Sequence, residues 1–132
     1  MAEFLSAAWI AELDAAARAA ADVVADPPFV VEQVVRDTGA GEVRYRVRVG
    51  PEGASVHVVS DRSHPADLTL VTDRETAGEL QRGRLRAQDA LARGSLKVRG
   101  RPEVLAGRAE LLARLDAVFA QVRAGTTFRG GR

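Results

Sequence analysis

The sequence predicts an α+β two-layer sandwich: a five-stranded, mostly antiparallel sheet covered on one face by helices. Three observations carry this. An alanine-rich stretch with apolar residues every three or four positions opens the chain. Stretches of alternating or β-branched apolar residues follow it with no helical pattern between them. The second half then runs strand, helix, helix, strand, helix.

Residues Glu3 to Ala25 read as the first helix. Leu5, Trp9, Leu13, Ala16, Ala20 and Val24 fall on one stripe, and Asp26-Pro27-Pro28 stops it, because proline removes a donor and restricts the residue before it. The period then changes. Phe29 to Asp37 is rich in β-branched residues and reads as a strand, with a turn at Thr38-Gly39-Ala40-Gly41. Val43, Tyr45, Val47 and Val49 alternate with Arg44, Arg46 and Arg48, the clearest strand pattern of the chain. Gly50-Pro51-Glu52-Gly53 turns into a third strand, Ala54 to Ser60. Such a meander has one buried and one wet face. After a loop at Asp61 to Pro65, Ala66 to Thr72 is a fourth strand. A helix starts at Asp73, with Thr72 or Asp73 as N-cap and Glu75 in the first turn, and ends near Gly83. A short helix spans about Ala87 to Arg93 and stops at Gly94. Ser95 to Arg99 is the fifth strand. Gly100-Arg101-Pro102 opens a final helix with Val104, Leu111, Leu112, Leu115, Val118, Phe119 and Val122 on one stripe, and residues 125–132 read as a flexible tail. At 132 residues, with no interdomain linker, the chain forms a single domain, 1–132.

Composition narrows the function. Nineteen basic against eighteen acidic residues give a net charge of +1, which provides no global drive toward nucleic acid or an anionic membrane. There is no cysteine, so disulfides, thiolate metal sites and cysteine nucleophiles are excluded. With two histidines, no metal site and no cofactor is expected. Glu3 stands where a signal peptide would carry basic charge, and no window is apolar enough to span a bilayer. The expectation is a cytoplasmic protein. Its basic residues are arginines except Lys97, and alanine is abundant, as in bacterial genes of high GC content.

The segment from Ala66 to Gly100 is the most distinctive. An Asp67-Leu68-Thr69 strand leads to a helix beginning near Asp73 and Glu75 and ending at Gly83. A short helix with Ala90, Leu91 and Gly94 follows, and then Leu96, Val98 and Gly100 in alternation. This pattern, over about a quarter of the chain, resembles the sterol carrier protein 2 family of lipid-binding domains, and the element order matches over nearly all of it. The resemblance implies helices on one face of a five-stranded sheet and a tunnel between them for fatty acyl chains, sterols or similar apolar molecules. The Gly130-Gly131-Arg132 end departs from the peroxisomal targeting tripeptide of some relatives.

The side chains on the helix-covered side are the candidate lining: Leu80, Leu85, Ala87, Leu91, Leu96, Val98, Leu111, Leu112, Leu115 and Phe119. Each serves as readily as plain core. Gln33 and Gln88 are candidates to orient a polar head group, because an amide both donates and accepts. The Arg44-Arg46-Arg48 row reads as a solvated outer face, with contact to anionic head groups as the alternative. It lacks interleaved aromatics, which disfavours single-stranded nucleic acid. Asp61, Ser63, His64 and Asp67 cluster in sequence, but adjacent loop residues seldom form catalytic geometry. Asp67 and Asp89 are weak candidates for a base in an apolar pocket.

The expected function is therefore non-catalytic binding or transfer of an apolar small molecule: a fatty acid, a fatty acyl thioester or a sterol-like lipid. Burial gives about 0.8 kcal/mol per methylene, so a chain of about sixteen carbons gains roughly 12 kcal/mol gross. Association costs at least several kcal/mol of this. Contact with membranes would be transient at most, and no nucleic-acid partner is expected. The alternative is an interaction or accessory domain of the same fold with a closed core, as a homodimer for example.

Overall fold

The computed structural model describes residues 2–38, 41–59, 65–123 and 126–127. The elements run β1 (Ala2–Glu3), α1 (Ala7–Ala19), β2 (Phe29–Thr38), β3 (Gly41–Gly50), β4 (Gly53–Val58), β5 (Leu68–Asp73), α2 (Arg74–Gln81), α3 (Ala87–Ala92), β6 (Leu96–Gly100), α4 (Pro102–Gly107), α5 (Ala109–Arg123) and β7 (Thr126–Thr127). Five strands form the main sheet in the order β4-β3-β2-β5-β6. Its pairings are antiparallel except β2 with β5, which is parallel. A parallel neighbour requires a crossover, and β3, β4 and the connection to β5 supply it.

Side chains alternate between the two faces of a strand. Register places Phe29, Val31, Gln33 and Val35 of β2 on the same face as Val43, Tyr45, Val47 and Val49 of β3. Ala54, Val56 and Val58 of β4, Leu68, Leu70 and Thr72 of β5, and Leu96 and Val98 of β6 complete this inner face. With Trp9, Ile10, Leu13 and Ala17 of α1 and Leu111, Leu115 and Val122 of α5, most of it forms one apolar core. α1 lies against β4, and α5 packs on α1. The Asp14 carboxylate of α1 accepts from the Val56 N–H at 2.8 Å, which satisfies a donor of an edge strand.

The first helix is shorter than its pattern predicts. Leu5 has φ 69°, in the left-handed region, so the helix cannot pass through it. Ser6 caps instead, accepting from the Trp9 N–H at 3.1 Å. At the other end Ala20 is already extended. Consequently Val23, not Val24, is the buried residue of that pair. The final helix is also broken, at Gly107–Arg108, into α4 and α5. Gly107 is a weak helix former, and Arg108 turns away to donate to the Pro27 carbonyl at 3.2 Å and to lie over the Phe29 ring. Within the stretch expected to be a tail, Thr126 and Thr127 instead pair in parallel with Ala2 and Glu3. The rest of that stretch, and the expected turn at Gly39-Ala40, lie outside the described residues.

The outer face carries an ion-pair ladder. Glu32, 5% exposed, accepts from Arg46 at 2.8 Å and from Arg44 at 3.1 Å. Glu42 binds Arg44 at 2.6 Å and Arg36 at 3.4 Å. The hydrogen bond from Arg44 holds the Glu42 carboxyl below its ordinary value. Two of the three arginines of the predicted row are thus neutralised by carboxylates.

Candidate functional site

The inner face consists of rows of side chains running across the strands. One row joins Val56, Val47, Val31 and Leu68. These are 4%, 4%, 3% and 1% exposed. We call it the sealed row. Two residues along, a second joins Val58, Tyr45, Gln33, Leu70 and Val98. Here Tyr45, Gln33, Leu70 and Val98 are all partly exposed, although β2 and β5 are central strands, and Val58 is 54% exposed. In a third row Val35, Thr72 and Leu96 are buried and Val43 is partly exposed. The second, open row is thus the less covered part of a helix-covered face.

Partly buried apolar side chains also come from the helices. Leu112, Val118 and Phe119 of α5, Val104 of α4 and Ala77 of α2 pack against the core without being enclosed by it. α5 makes its close backbone approach to α1 rather than to the sheet. Where the row reaches β4, a cleft of about 300 Å³ opens between the start of α1 and the ends of β3 and β4. Leu5, Ala7, Ile10, Val43, Val58 and Val59 line it, with Glu42 and Arg44 at its side. This is the lower end of the range for small-molecule sites.

Aromatic contacts tie the row to the N-terminal segment. Trp9, 1% exposed, meets Tyr45 edge-on at 5.7 Å and Phe4 at 4.9 Å. Its indole N–H donates to Thr126 Oγ1 at 3.2 Å. Although part of the Tyr45 side chain is exposed, its phenol group is buried, and this burial pushes it above its ordinary pKa.

The sequence candidates divide accordingly. Gln33 and Val98 stand in the open row, and Leu112 and Phe119 face the core from α5. Leu80 and Leu85 are partly exposed. Leu96, Leu111 and Leu115 are buried at 7%, 8% and 5%, as core. Gln88 is exposed and Leu91 is 39% exposed, so both stand in solvent instead of lining a slot. α3 is too short to bury more than one side, and Ala90 occupies it at 0%. Ala87 begins α3, but its side chain lies outside the described residues.

Tyr45, Leu70, the cleft residues and Gln81 were not among the candidates. Gln81 has a buried Nε2 with no hydrogen-bond partner, an uncommon arrangement in a polar side chain. Its signal was spacing: it lies four residues after Ala77, on the α2 face that meets the core.

The acidic candidates have structural duties. Asp67 accepts from the Val30 N–H at 2.8 Å and joins β5 to β2. Asp73 caps α2, accepting from the Thr76 N–H at 2.7 Å. Asp89 is exposed. Gly100, at φ 126°, sits so close to β5 that a Cβ would lie 2.8 Å from the Asp67 carbonyl oxygen, which accounts for glycine there. Asp61, Ser63 and His64 lie outside the described residues. Among the described residues no cluster of potential metal ligands occurs, and no helix is long and apolar enough to cross a membrane.

The fold is that of the sterol carrier protein 2 domains. A solved structure with this fold is a conserved hypothetical protein of Thermus thermophilus, described as a possible sterol carrier protein. It shares 22% identity at a TM-score of 0.70, over 91% of this chain and 90% of that one. A crystal structure of sterol carrier protein 2 aligns at 23% identity and a TM-score of 0.65, over 90% and 98%. A sec-alkylsulfatase of Pseudomonas also contains the fold, at 16% identity and a TM-score of 0.53, over 76% of this chain but 14% of the sulfatase. The sequence matches no protein-family model and no curated protein.

Proposed function

We propose that this protein is a non-catalytic carrier of a small apolar molecule, held between the inner sheet face and the helices. The observation that carries the reading is the partly exposed row, Tyr45, Gln33, Leu70 and Val98, beside the sealed row. A well-packed core leaves few such gaps, and an apolar ligand would complete it. The likeness to structures named as sterol carriers supports the same reading. The slot suits a fatty acid, a fatty acyl thioester or a sterol-like lipid. Among the described residues the Gln33 side chain makes no protein hydrogen bond, and Gln81 Nε2 has no partner, so both amides are available to a carbonyl, carboxylate or hydroxyl. The acidic groups near the slot serve as caps and strand ties, which supports binding without turnover.

Native mass spectrometry of freshly purified protein, with organic extraction, tests this. A co-purified apolar species, or displacement of a fluorescent fatty acid by unlabelled fatty acid, is the expected result. A clean apo mass with no displacement would leave the closed-core interaction domain as the reading.

A further inference from the structure

The basic charge of this nearly neutral chain is concentrated at one edge. Residues 82–101 hold seven basic residues, Arg82, Arg84, Arg86, Arg93, Lys97, Arg99 and Arg101, and one acidic residue, Asp89. The rest of the chain therefore holds twelve basic residues against seventeen acidic ones. The segment contains no Phe, Trp or Tyr. It is continuous in space, because α3 packs on β6, the edge strand of the sheet, and Ser95 returns its N–H to the Ala90 carbonyl at 3.0 Å.

All of these cations except Arg82 are exposed, and among the described residues none of the exposed ones has an ion-pair partner. Most arginines of β2 and β3 behave oppositely: Arg36, Arg44 and Arg46 are each held by Glu32 or Glu42, and Arg48 alone among them has no ion pair among the described residues. Amid the uncompensated charges stands Leu91, one of the few large apolar side chains exposed in the molecule. Lys97 and Arg99 alternate with Leu96 and Val98, so they project from the outer face while the inner residues join the slot side.

We propose that this edge, formed by the α2–α3 connection, α3 and β6, docks on the surface of an anionic phospholipid bilayer. Uncompensated cations attract anionic head groups, and an exposed leucine among them can enter the head-group boundary. A nucleic-acid surface would favour aromatic residues for stacking, and the segment has none. The docking surface is independent of what the slot holds. Its consequence, delivery of cargo at a membrane, rests on the function proposed above.

The test is co-sedimentation of the whole protein with vesicles of phosphatidylcholine alone or mixed with phosphatidylglycerol. Binding to the mixed vesicles, absent with phosphatidylcholine and weakened by salt, is expected. Each neutralised cation should cost about fivefold, so Arg93→Gln with Lys97→Gln should reduce partitioning about 25-fold. Arg18→Gln and Arg114→Gln, whose cations are ion-paired to Asp14 and Glu110 elsewhere, should leave it within about twofold. Circular dichroism and fatty-acid displacement in solution, measured on every variant, separate a docking defect from a folding or slot defect. The proposal fails if wild type shows no preference for anionic vesicles. It fails equally if the Arg93/Lys97 variant binds like wild type, or if single-stranded DNA is bound and vesicles are not.

Discussion

Leu68 and Leu70 are the same residue type, two positions apart on one strand and on the same face of the sheet. Leu68 is 1% exposed and shares a row with Val31 and Val47. Leu70 is partly exposed and shares a row with Gln33, Tyr45 and Val98. One row is finished core and the other is unfinished. Above them, α1 lies against β4 and α5 rests on α1. The first row fills space, and under the proposed function the second leaves it for a ligand.

This contrast can be broken most forcefully at Leu68. Leu68→Ala deletes a fully enclosed side chain and should cost about 3–5 kcal/mol in chemical denaturation. Leu115→Ala, removing another core leucine, should fall in a similar range, about 2–5 kcal/mol. Behind the sheet, Glu32→Gln removes the carboxylate shared by Arg44 and Arg46 and should cost about 2–3 kcal/mol. Ligand affinity should survive that change, since Glu32 projects away from the slot. Leu70→Ala should cost about 1 kcal/mol, because its site is already partly open. Its effect should appear instead as weaker displacement of bound fatty acid. A loss at Leu70 equal to that at Leu68 would mean that both rows are core.

Tyr45 sharpens the comparison through pH. It is the only tyrosine, so its ionisation is read directly by absorbance. Burial raises its folded pKa above the ordinary value of 10.0, so the neutral phenol is the form the fold stabilises. That contribution is complete below the unfolded pKa and is lost as pH rises beyond it. Phenolate should therefore appear only above the ordinary range, and Tyr45→Phe should be more resistant to alkaline unfolding. Ordinary titration without unfolding would show that water reaches the phenol freely.

Much of the fold was legible in the sequence. Period-two alternation marked β3, and its arginines pointed to the outer face. The Asp67 to Gly100 pattern anticipated the strand, helix, helix, strand order, and Asp67, Asp73 and Gly100 prove to be a strand tie, a cap and a close backbone approach. The helix ends were not legible, since alanine-rich sequence continues past Ala19 and only the backbone at Leu5 and Ala20 ends the helix. The break at Gly107 was hidden for a related reason: its apolar stripe continues on both sides. The open row was not legible either. Alternation assigns a side chain to a face, but Leu68 and Leu70 have equal claims until the helices above them are placed. Gln33 could be suspected because it is polar among apolar neighbours. Gln88 has the same composition cue but is exposed on a helix whose buried residue, among those described, is Ala90.

The most direct test of the slot is a titration of isotope-labelled protein with a saturated fatty acid, followed by nuclear magnetic resonance. The account predicts that the largest shifts fall on Tyr45, Gln33, Leu70 and Val98, with little change at Val31, Val47 and Leu68. Shifts confined to the molecular surface, or none at saturating fatty acid, would contradict it.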